Sequence, residues 1–117
     1  MDDFNEKYRQ RTKKLALEII KLYRKLPNSD EARILGKQLI RSGTSVAANF
    51  RASCRARSGR EYYAKFCIVV EECDETLFWL ELIEESDIFK SELSGALIKE
   101  SGELLAVFAR TKMKLKQ

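Results

Sequence analysis

The sequence has no histidine, and its three cysteines form no C-x-x-C pair. Histidine is the commonest general base, so its absence excludes His-dependent catalytic triads and the Glu-x-x-His ligand pairs of di-iron bundles. An odd number of cysteines without metal-ligand spacing predicts neither a disulfide framework nor a zinc site. We expect them to be free, mostly buried thiols. A glycine-rich phosphate loop is also missing, so we expect no cofactor and no enzymatic activity.

Long apolar runs and chain-breaking residues are scarce as well. No stretch approaches the roughly 20 apolar residues that cross a bilayer, and residues 1–11 lack the core of a signal peptide. We therefore expect a cytoplasmic protein with no membrane partner. One proline and five glycines are too few for the regular turns of a strand-rich fold, and 34% charged residues favour long amphipathic helices.

Apolar residues recur at spacings of three and four in four segments, which predicts four helices. Residues 39–82 organise the chain, because two long helices fold back on each other there at residues 57–60. Gly59 is expected to take the left-handed conformation that ends helices, and Pro27 stops the first helix. The predicted helices cover 2–26, 30–56, 60–85 and a segment that opens at 91–92. Short connections predict an all-α, up-down-up-down antiparallel four-helix bundle, with residues 1–117 in a single domain.

The third predicted helix carries more apolar residues than one face can hold. Its core face is predicted to comprise Tyr63, Phe66, Val70, Cys73, Leu77 and Leu80. Phe78, Trp79 and Leu82 lie on further sides, and a helix that is apolar around more than half of its circumference is usually covered by more than one neighbour. In so small a domain the simplest cover is a second copy of the chain, so these three residues are the predicted oligomer interface.

A polar row borders the buried face of the second helix. Arg41, Ser45 and Asn49 follow one another at intervals of four, so they stack on one side of the helix. Reversal of the chain near residue 58 places Glu72 and Glu75 opposite this row. Because a guanidinium that loses water needs a carboxylate partner, we predict an internal polar lock that fixes the register of the two helices. The alternative is a catalytic carboxylate pair, but no metal ligand set or nucleophile accompanies it.

Basic residues concentrate in three segments that the predicted bundle brings to one end. Residues 1–15 carry a net charge of +2, and residues 48–66 and 106–117 carry +4 each. The whole chain is +4, so the remainder carries −6. Cations gathered within a Debye length favour phosphate binding, although cations at helix ends also serve solubility. The predicted nucleic-acid-binding residues are Arg51, Arg55, Arg57, Arg60, Lys65, Arg110, Lys112, Lys114 and Lys116. No base-reading motif is present, so binding is expected to be led by the phosphate backbone and sensitive to salt.

The run SGTSVAANFRASCRARSGREYYAKFCIVVEECDETLFWLELI resembles the four-helix-bundle proteins encoded within intervening sequences of bacterial 23S ribosomal RNA genes. It is similar, more distantly, to the accessory variability determinant protein of diversity-generating retroelements. The resemblance covers nearly the whole chain and is strongest in the row of Arg41, Ser45 and Asn49 and in the segment EECDETLFWLEL. The sequence departs from the family at residues 50–53, where Phe-Arg-Ala-Ser stands in place of a stretch that is often acidic or contains glycine.

The resemblance implies a homopentamer with no established enzymatic activity. The retroelement relatives are basic and work with a reverse transcriptase and nucleic acid, so RNA or DNA and a polymerase-type protein are the expected partners besides other copies of the chain. We therefore expect a non-enzymatic, homo-oligomeric bundle protein that associates with nucleic acid through its basic end. The alternative is an adaptor that docks a polymerase or reverse transcriptase without binding nucleic acid itself.

Overall fold

Four α-helices make up most of the chain in a computed structural model, which describes residues 2–116 and the side chains of residues 3–116. The helices are α1 (Asp2–Lys25), α2 (Asp30–Cys54), α3 (Gly59–Glu85) and α4 (Glu92–Lys116). The prediction of an all-α protein with four helices is confirmed, and each predicted boundary lies within about two residues of the observed one. Within residues 2–116, none of the helices has an apolar stretch of the length that a bilayer crossing requires.

Serine side chains begin α2, α3 and α4. Ser29, Ser58 and Ser91 each accept a hydrogen bond from the backbone N–H three residues later, at 3.2, 3.1 and 3.2 Å. A helix start leaves its first amides without partners, and each serine satisfies one of them. These three short side chains therefore fix where the helices begin.

The predicted left-handed glycine at the second turn is wrong. Gly59 is the first residue of α3, and the only positive φ between residues 2 and 116 belongs to Asp87, at 62°. The turn is made by Arg55, whose backbone N–H bonds to carbonyls at the end of α2, and by Ser58, whose extended backbone precedes α3. Only Ala56 and Arg57 separate the two caps, and neither has a positive φ, so the turn contains no left-handed residue.

Each helix packs against the next one in the chain, and α4 packs against α1. Along α1 and α2 the contacts run in opposite numerical order, since Phe4 lies near Phe50 with 6.3 Å between ring centroids, whereas Ile19 lies against Gly43. The molecule measures 44 × 20 × 19 Å. Its two ends are thus separated by about the length of one helix.

The buried face of α3 is rotated from the predicted one. Phe66, Val69, Cys73, Thr76, Leu80 and Ile83 are buried, whereas Tyr63, Val70 and Leu77 are only half-buried. Thr76 accounts for the difference, because its Oγ1 lies 3.0 Å from Ser42 Oγ of α2 and 2.8 Å from the carbonyl oxygen of Glu72. A hydrogen-bonded hydroxyl therefore occupies a core position that hydropathy alone assigns to the neighbouring leucine.

Two glycines are expected to respond in opposite ways to an added side chain. A Cβ at Gly102, inside α4, would meet no atom within 4 Å. Gly102→Ala should therefore raise the free energy of unfolding by about 1 kcal/mol through helix propensity. Gly43 is buried beneath Ile19, whose Cδ1 a new Cβ would overlap. Gly43→Val should lower the free energy of unfolding by about 1–3 kcal/mol.

Urea titrations followed by circular dichroism measure both changes against the parent protein. A Gly43→Val variant as stable as the parent would contradict the close approach of α1 and α2.

Candidate nucleic-acid interface

Five aromatic rings from all four helices pack together at one end of the bundle. This aromatic cluster consists of Phe4 and Tyr8 of α1, Phe50 of α2, Phe66 of α3 and Phe108 of α4, and all but Phe4 are buried. Ring centroids are 4.7 Å apart for Phe4 and Tyr8, 5.4 Å for Phe50 and Phe108, and 5.6 Å for Phe66 and Phe108. Each of the three basic segments contributes at least one ring, so the cluster brings those segments to the same end.

The nine predicted nucleic-acid-binding residues lie in segments that meet at this end. Seven of them are exposed, and Lys65 and Lys112 are half-buried. Arg57 Nη2 lies 3.8 Å from Glu61 Oε2, yet its side chain is 90% exposed. Among the side chains of residues 3–116, none of the other eight has a carboxylate oxygen within 4.0 Å. Their charges therefore face solvent rather than internal acids.

A groove of about 640 Å³ lies between α1 and α2 beside the aromatic cluster. Its lining comprises Arg9, Gln10 and Lys13 of α1, Thr44, Ala47, Ala48 and Arg51 of α2, and Arg55, which directly follows α2. Arg9 and Lys13 are four residues apart on α1 and therefore share a helix face, while Arg51 and the C-cap residue Arg55 supply two cations from the other side of this basic groove. The two alanines have short side chains, which leaves space between the cations. None of the described lining residues is acidic.

The α1 side of the basic groove is held in place by one carboxylate. Glu6 accepts hydrogen bonds from Arg9 and from Gln10 Nε2, the latter at 2.6 Å. Arg9 and Lys13 enter the sequence prediction only through the net charge of residues 1–15. The signal that could have identified them is their interval of four, which places both cations on one face of α1.

Two other cations of α1 face α4 instead. Arg11 binds Glu100 through two hydrogen bonds, with Nη2 2.6 Å from Oε1 and Nε 3.0 Å from Oε2. The hydrogen bond to Glu100 raises the pKa of Arg11. Lys14 lines a separate groove between α1 and α4, together with Glu18, Glu100 and several apolar side chains. Lys13 and Lys14, which are neighbours in sequence on α1, therefore lie in very different electrostatic surroundings.

The residues of the predicted polar lock fall into two separate groups. Arg41 Nη2 lies 2.6 Å from Glu75 Oε1, and its Nη1 lies 3.3 Å from Glu72 Oε1. Asn49 Nδ2 instead donates to the Ser45 carbonyl and hydroxyl oxygens, both at 2.9 Å.

The expectation that the guanidinium of Arg41 loses its water is wrong, because this side chain is 49% exposed. The pair of hydroxyls that is buried between α2 and α3 is Ser42 and Thr76.

The predicted oligomer interface contains one clearly exposed ring. Phe78 is 51% exposed, whereas Trp79 and Leu82 are half-buried. The Phe78 and Trp79 rings meet edge to face with centroids 5.1 Å apart. Trp79 Nε1 is buried and has no hydrogen-bond partner among the described residues. An exposed phenylalanine beside a half-buried tryptophan with an unsatisfied donor marks this part of α3 as unusual for a surface.

The three cysteines are free thiols. Cys73 is buried, and burial raises its pKa to about 12. Burial also raises the pKa of Cys54, and Cys67 is half-buried. The thiolate is the nucleophilic form of cysteine, so neither Cys54 nor Cys73 is activated for covalent chemistry.

Comparison with known proteins found one matching family model and a crystal structure with a similar fold. Residues 5–110 match the family model described as 23S rRNA-intervening sequence protein. A crystal structure from Bacteroides thetaiotaomicron, described as a protein of unknown function from the S23 ribosomal protein family, is similar with a TM-score of 0.83 and 28% sequence identity. The match covers 93% of this chain and 97% of that one. No curated protein matches the chain.

Replacing Arg41 should change stability less than replacing Arg11. Arg41 is half-exposed, and ion pairs in water contribute about 0–1 kcal/mol, so Arg41→Gln should cost less than about 1 kcal/mol. Arg11 is 28% exposed and holds Glu100 through two bonds, so Arg11→Gln should cost about 1.5–3 kcal/mol.

Urea unfolding at low salt and at about 1 M NaCl measures the loss of stability in both variants. The loss in Arg41→Gln should shrink at high salt, because salt screens ion pairs at the surface. A larger loss for Arg41→Gln than for Arg11→Gln would restore Arg41 as the residue that fixes helix register.

Proposed function

Because the chain belongs to the 23S rRNA-intervening sequence protein family, we propose that it is a non-enzymatic, RNA-associated bundle protein whose basic end binds the nucleic-acid backbone. The family description names a ribosomal RNA context, which makes RNA the first partner to test. The protein is proposed to act in the cytoplasm, where free thiols such as its three cysteines stay reduced.

The observation that carries this proposal is the set of cations without carboxylate partners around the aromatic cluster. Arg51, Arg55, Arg60 and Arg110 are exposed. A guanidinium can bind a phosphate through two hydrogen bonds, and several of them close together release several counterions when they bind one nucleic acid. Base specificity is not part of the proposal, because the basic end is proposed to contact phosphates and sugars only.

The absence of enzymatic activity is proposed on the chemistry of the side chains. The chain has no histidine to act as a base, and burial keeps the Cys73 thiol in its neutral form. Glu72 and Glu75 are engaged by Arg41, which leaves no carboxylate pair placed for acid–base work at that seam.

Assembly into a homo-oligomer, with a pentamer implied by the family resemblance, is the second part of the proposal. The four helices are proposed to alternate in direction, which the opposed order of contacts along α1 and α2 supports. Phe78, Trp79 and Leu82 are proposed to lie at the contact between copies. A neighbouring copy could cover the Phe78 ring, which is 51% exposed in the isolated chain.

An adaptor function is the competing proposal, and the exposed Phe78 ring is the observation that favours it. In that case the α3 surface docks a polymerase or reverse transcriptase, and the basic end does not bind nucleic acid. A purified complex with such a protein that survives nuclease treatment, together with no RNA binding by the isolated chain, would favour the adaptor.

RNA binding is expected to weaken with salt and with loss of cations from the second turn. Filter binding of a structured RNA at about 50 and 200 mM salt gives the slope of log affinity against log salt. The triple variant Arg51→Gln, Arg55→Gln and Arg57→Gln should reduce this slope by about 2–3, because each lost phosphate contact lowers it by about 1. The matched control removes the exposed cations Arg24, Lys25 and Lys37 from the opposite end and should keep the parental slope.

No binding by the parent at low salt would refute the nucleic-acid proposal. Equal losses in the two triple variants would show that net charge, rather than the basic end, governs binding.

The oligomer proposal predicts a change of mass on charging Phe78. Phe78→Glu places a carboxylate in the proposed contact and should shift the mass measured by light scattering from several copies to one. Leu17→Glu is the matched control, because Leu17 of α1 is also 51% exposed. An unchanged monomeric mass for the parent and both variants would refute assembly, and circular dichroism checks that the helices remain folded.

A further inference from the structure

We infer that the basic groove between α1 and α2 holds a single nucleic-acid strand by its phosphates. This inference rests on the proposed function and deepens it, since it assigns binding to a defined groove at the basic end and names a class of ligand. The residues predicted from the sequence to bind nucleic acid include only one side of the basic groove, Arg51 and Arg55. The α1 side adds Arg9 and Lys13.

The charges of the basic groove select a polyanion. Four cations line it, and none of its described lining residues is acidic. Arg9 is paired with Glu6, but Lys13, Arg51 and Arg55 have no carboxylate oxygen within 4.0 Å among residues 3–116. A ligand with one charge would leave most of these cations unpaired. A chain of phosphates can meet the two sides of the groove in succession.

The shape of the basic groove favours one strand over a duplex. Packed helices have axes about 8–10 Å apart, so the groove between two of them is narrow and follows the helix direction. Arg9 and Lys13, four residues apart on α1, are separated by about 6 Å along its axis. Ala47 and Ala48 contribute only short side chains to the lining. We expect one sugar–phosphate backbone to lie along such a narrow groove, whereas both strands of a duplex do not fit into it together.

The groove has no means of reading bases. Its described lining contains no aromatic side chain on which a base could stack. Its two neutral polar side chains already have partners within the chain, since Gln10 donates to Glu6 and Thr44 Oγ1 lies 2.7 Å from the carbonyl oxygen of Ile40. Binding should therefore depend on phosphate number and on salt, with little dependence on base sequence.

The neighbouring groove between α1 and α4 provides an internal contrast. It is also lined by two cations of α1, Arg11 and Lys14, but Glu18 and Glu100 lie beside them and leucines form part of its surface. Its mixed charge does not suit a polyanion. Lys13 and Lys14 are both exposed and adjacent in sequence, yet they line different grooves. Comparing Lys13 with Lys14 therefore separates the effect of the groove on RNA binding from the effect of net charge.

The test uses the full chain and fluorescently labelled single-stranded RNA of mixed sequence, with affinity measured by anisotropy across a salt series. The groove variant carries Arg9→Gln, Lys13→Gln, Arg51→Gln and Arg55→Gln. The matched control carries Lys14→Gln, Arg24→Gln, Lys25→Gln and Lys37→Gln, which remove the same charge outside the groove. The slope of log affinity against log salt should fall by about 3 in the groove variant, since each phosphate contact to a single strand contributes about 0.7. The control should retain the parental slope.

A second measurement reports on the groove without mutation. Lysine acetylation followed by mass spectrometry should show protection of Lys13, but not of Lys14, when the RNA strand is bound. The same strand annealed to its complement should bind more weakly than the free strand. Tripolyphosphate at equal phosphate concentration should compete poorly, because it is too short to contact the cations along the whole groove.

The outcomes separate the two proposals. Parental protein that binds RNA, with equal slopes for the groove and control variants and equal labelling of Lys13 and Lys14, overturns the groove while leaving the basic end in place. Parental protein that binds no RNA at low salt overturns both. Effective competition by tripolyphosphate would reassign the groove to small polyphosphates, and tighter binding of the duplex would overturn the assignment of a single strand.

Discussion

The packing of five aromatic rings at one end of the bundle is the interaction on which the arrangement of charge depends. Aromatic pairs contribute about 0.5–1.5 kcal/mol beyond the burial of their surface. Phe50, Phe66 and Phe108 are fully buried, and they draw the end of α2, the start of α3 and the end of α4 onto α1. Because basic residues flank these rings in the sequence, burying the rings also gathers the cations. The repulsion among like charges is a cost that this hydrophobic contact offsets.

The acids of the chain show why the cations at this end remain available. Arg41 pairs with Glu72 and Glu75, and Arg11 pairs with Glu100 on the α4 side of α1. Among the side chains of residues 3–116, no carboxylate oxygen lies within 4.0 Å of Arg51, Arg55 or Arg110. An end with unpaired cations contributes little to the stability of a fold, which is consistent with a role in binding. The same reasoning applies to Phe78, whose exposed ring contributes less to the isolated chain than a buried one would.

Prediction from sequence succeeded where a local rule governs the outcome. The proline stop and the apolar spacing within each helix depend on residues within one or two helical turns, and the helix boundaries were accordingly close. Across helices it was right in part, since Arg41 contacts Glu72 and Glu75 as predicted. It was wrong about burial, because Thr76 is buried where Ser42 lies across from it and Arg41 stays half-exposed. It was also wrong about Gly59, because the neighbouring Ser58 caps α3.

The sequence alone determined four amphipathic helices and the three segments in which positive charge accumulates, because both follow from residue type and spacing along the chain. Only the tertiary structure decided which cations share a groove. Lys13 and Lys14 are both exposed and carry the same charge, but neighbouring residues on a helix point about 100° apart. One therefore lies between α1 and α2 among other cations, and the other lies between α1 and α4 among acids. That difference depends on which helix packs on each side of α1, and no periodicity within α1 encodes the identity of its neighbours.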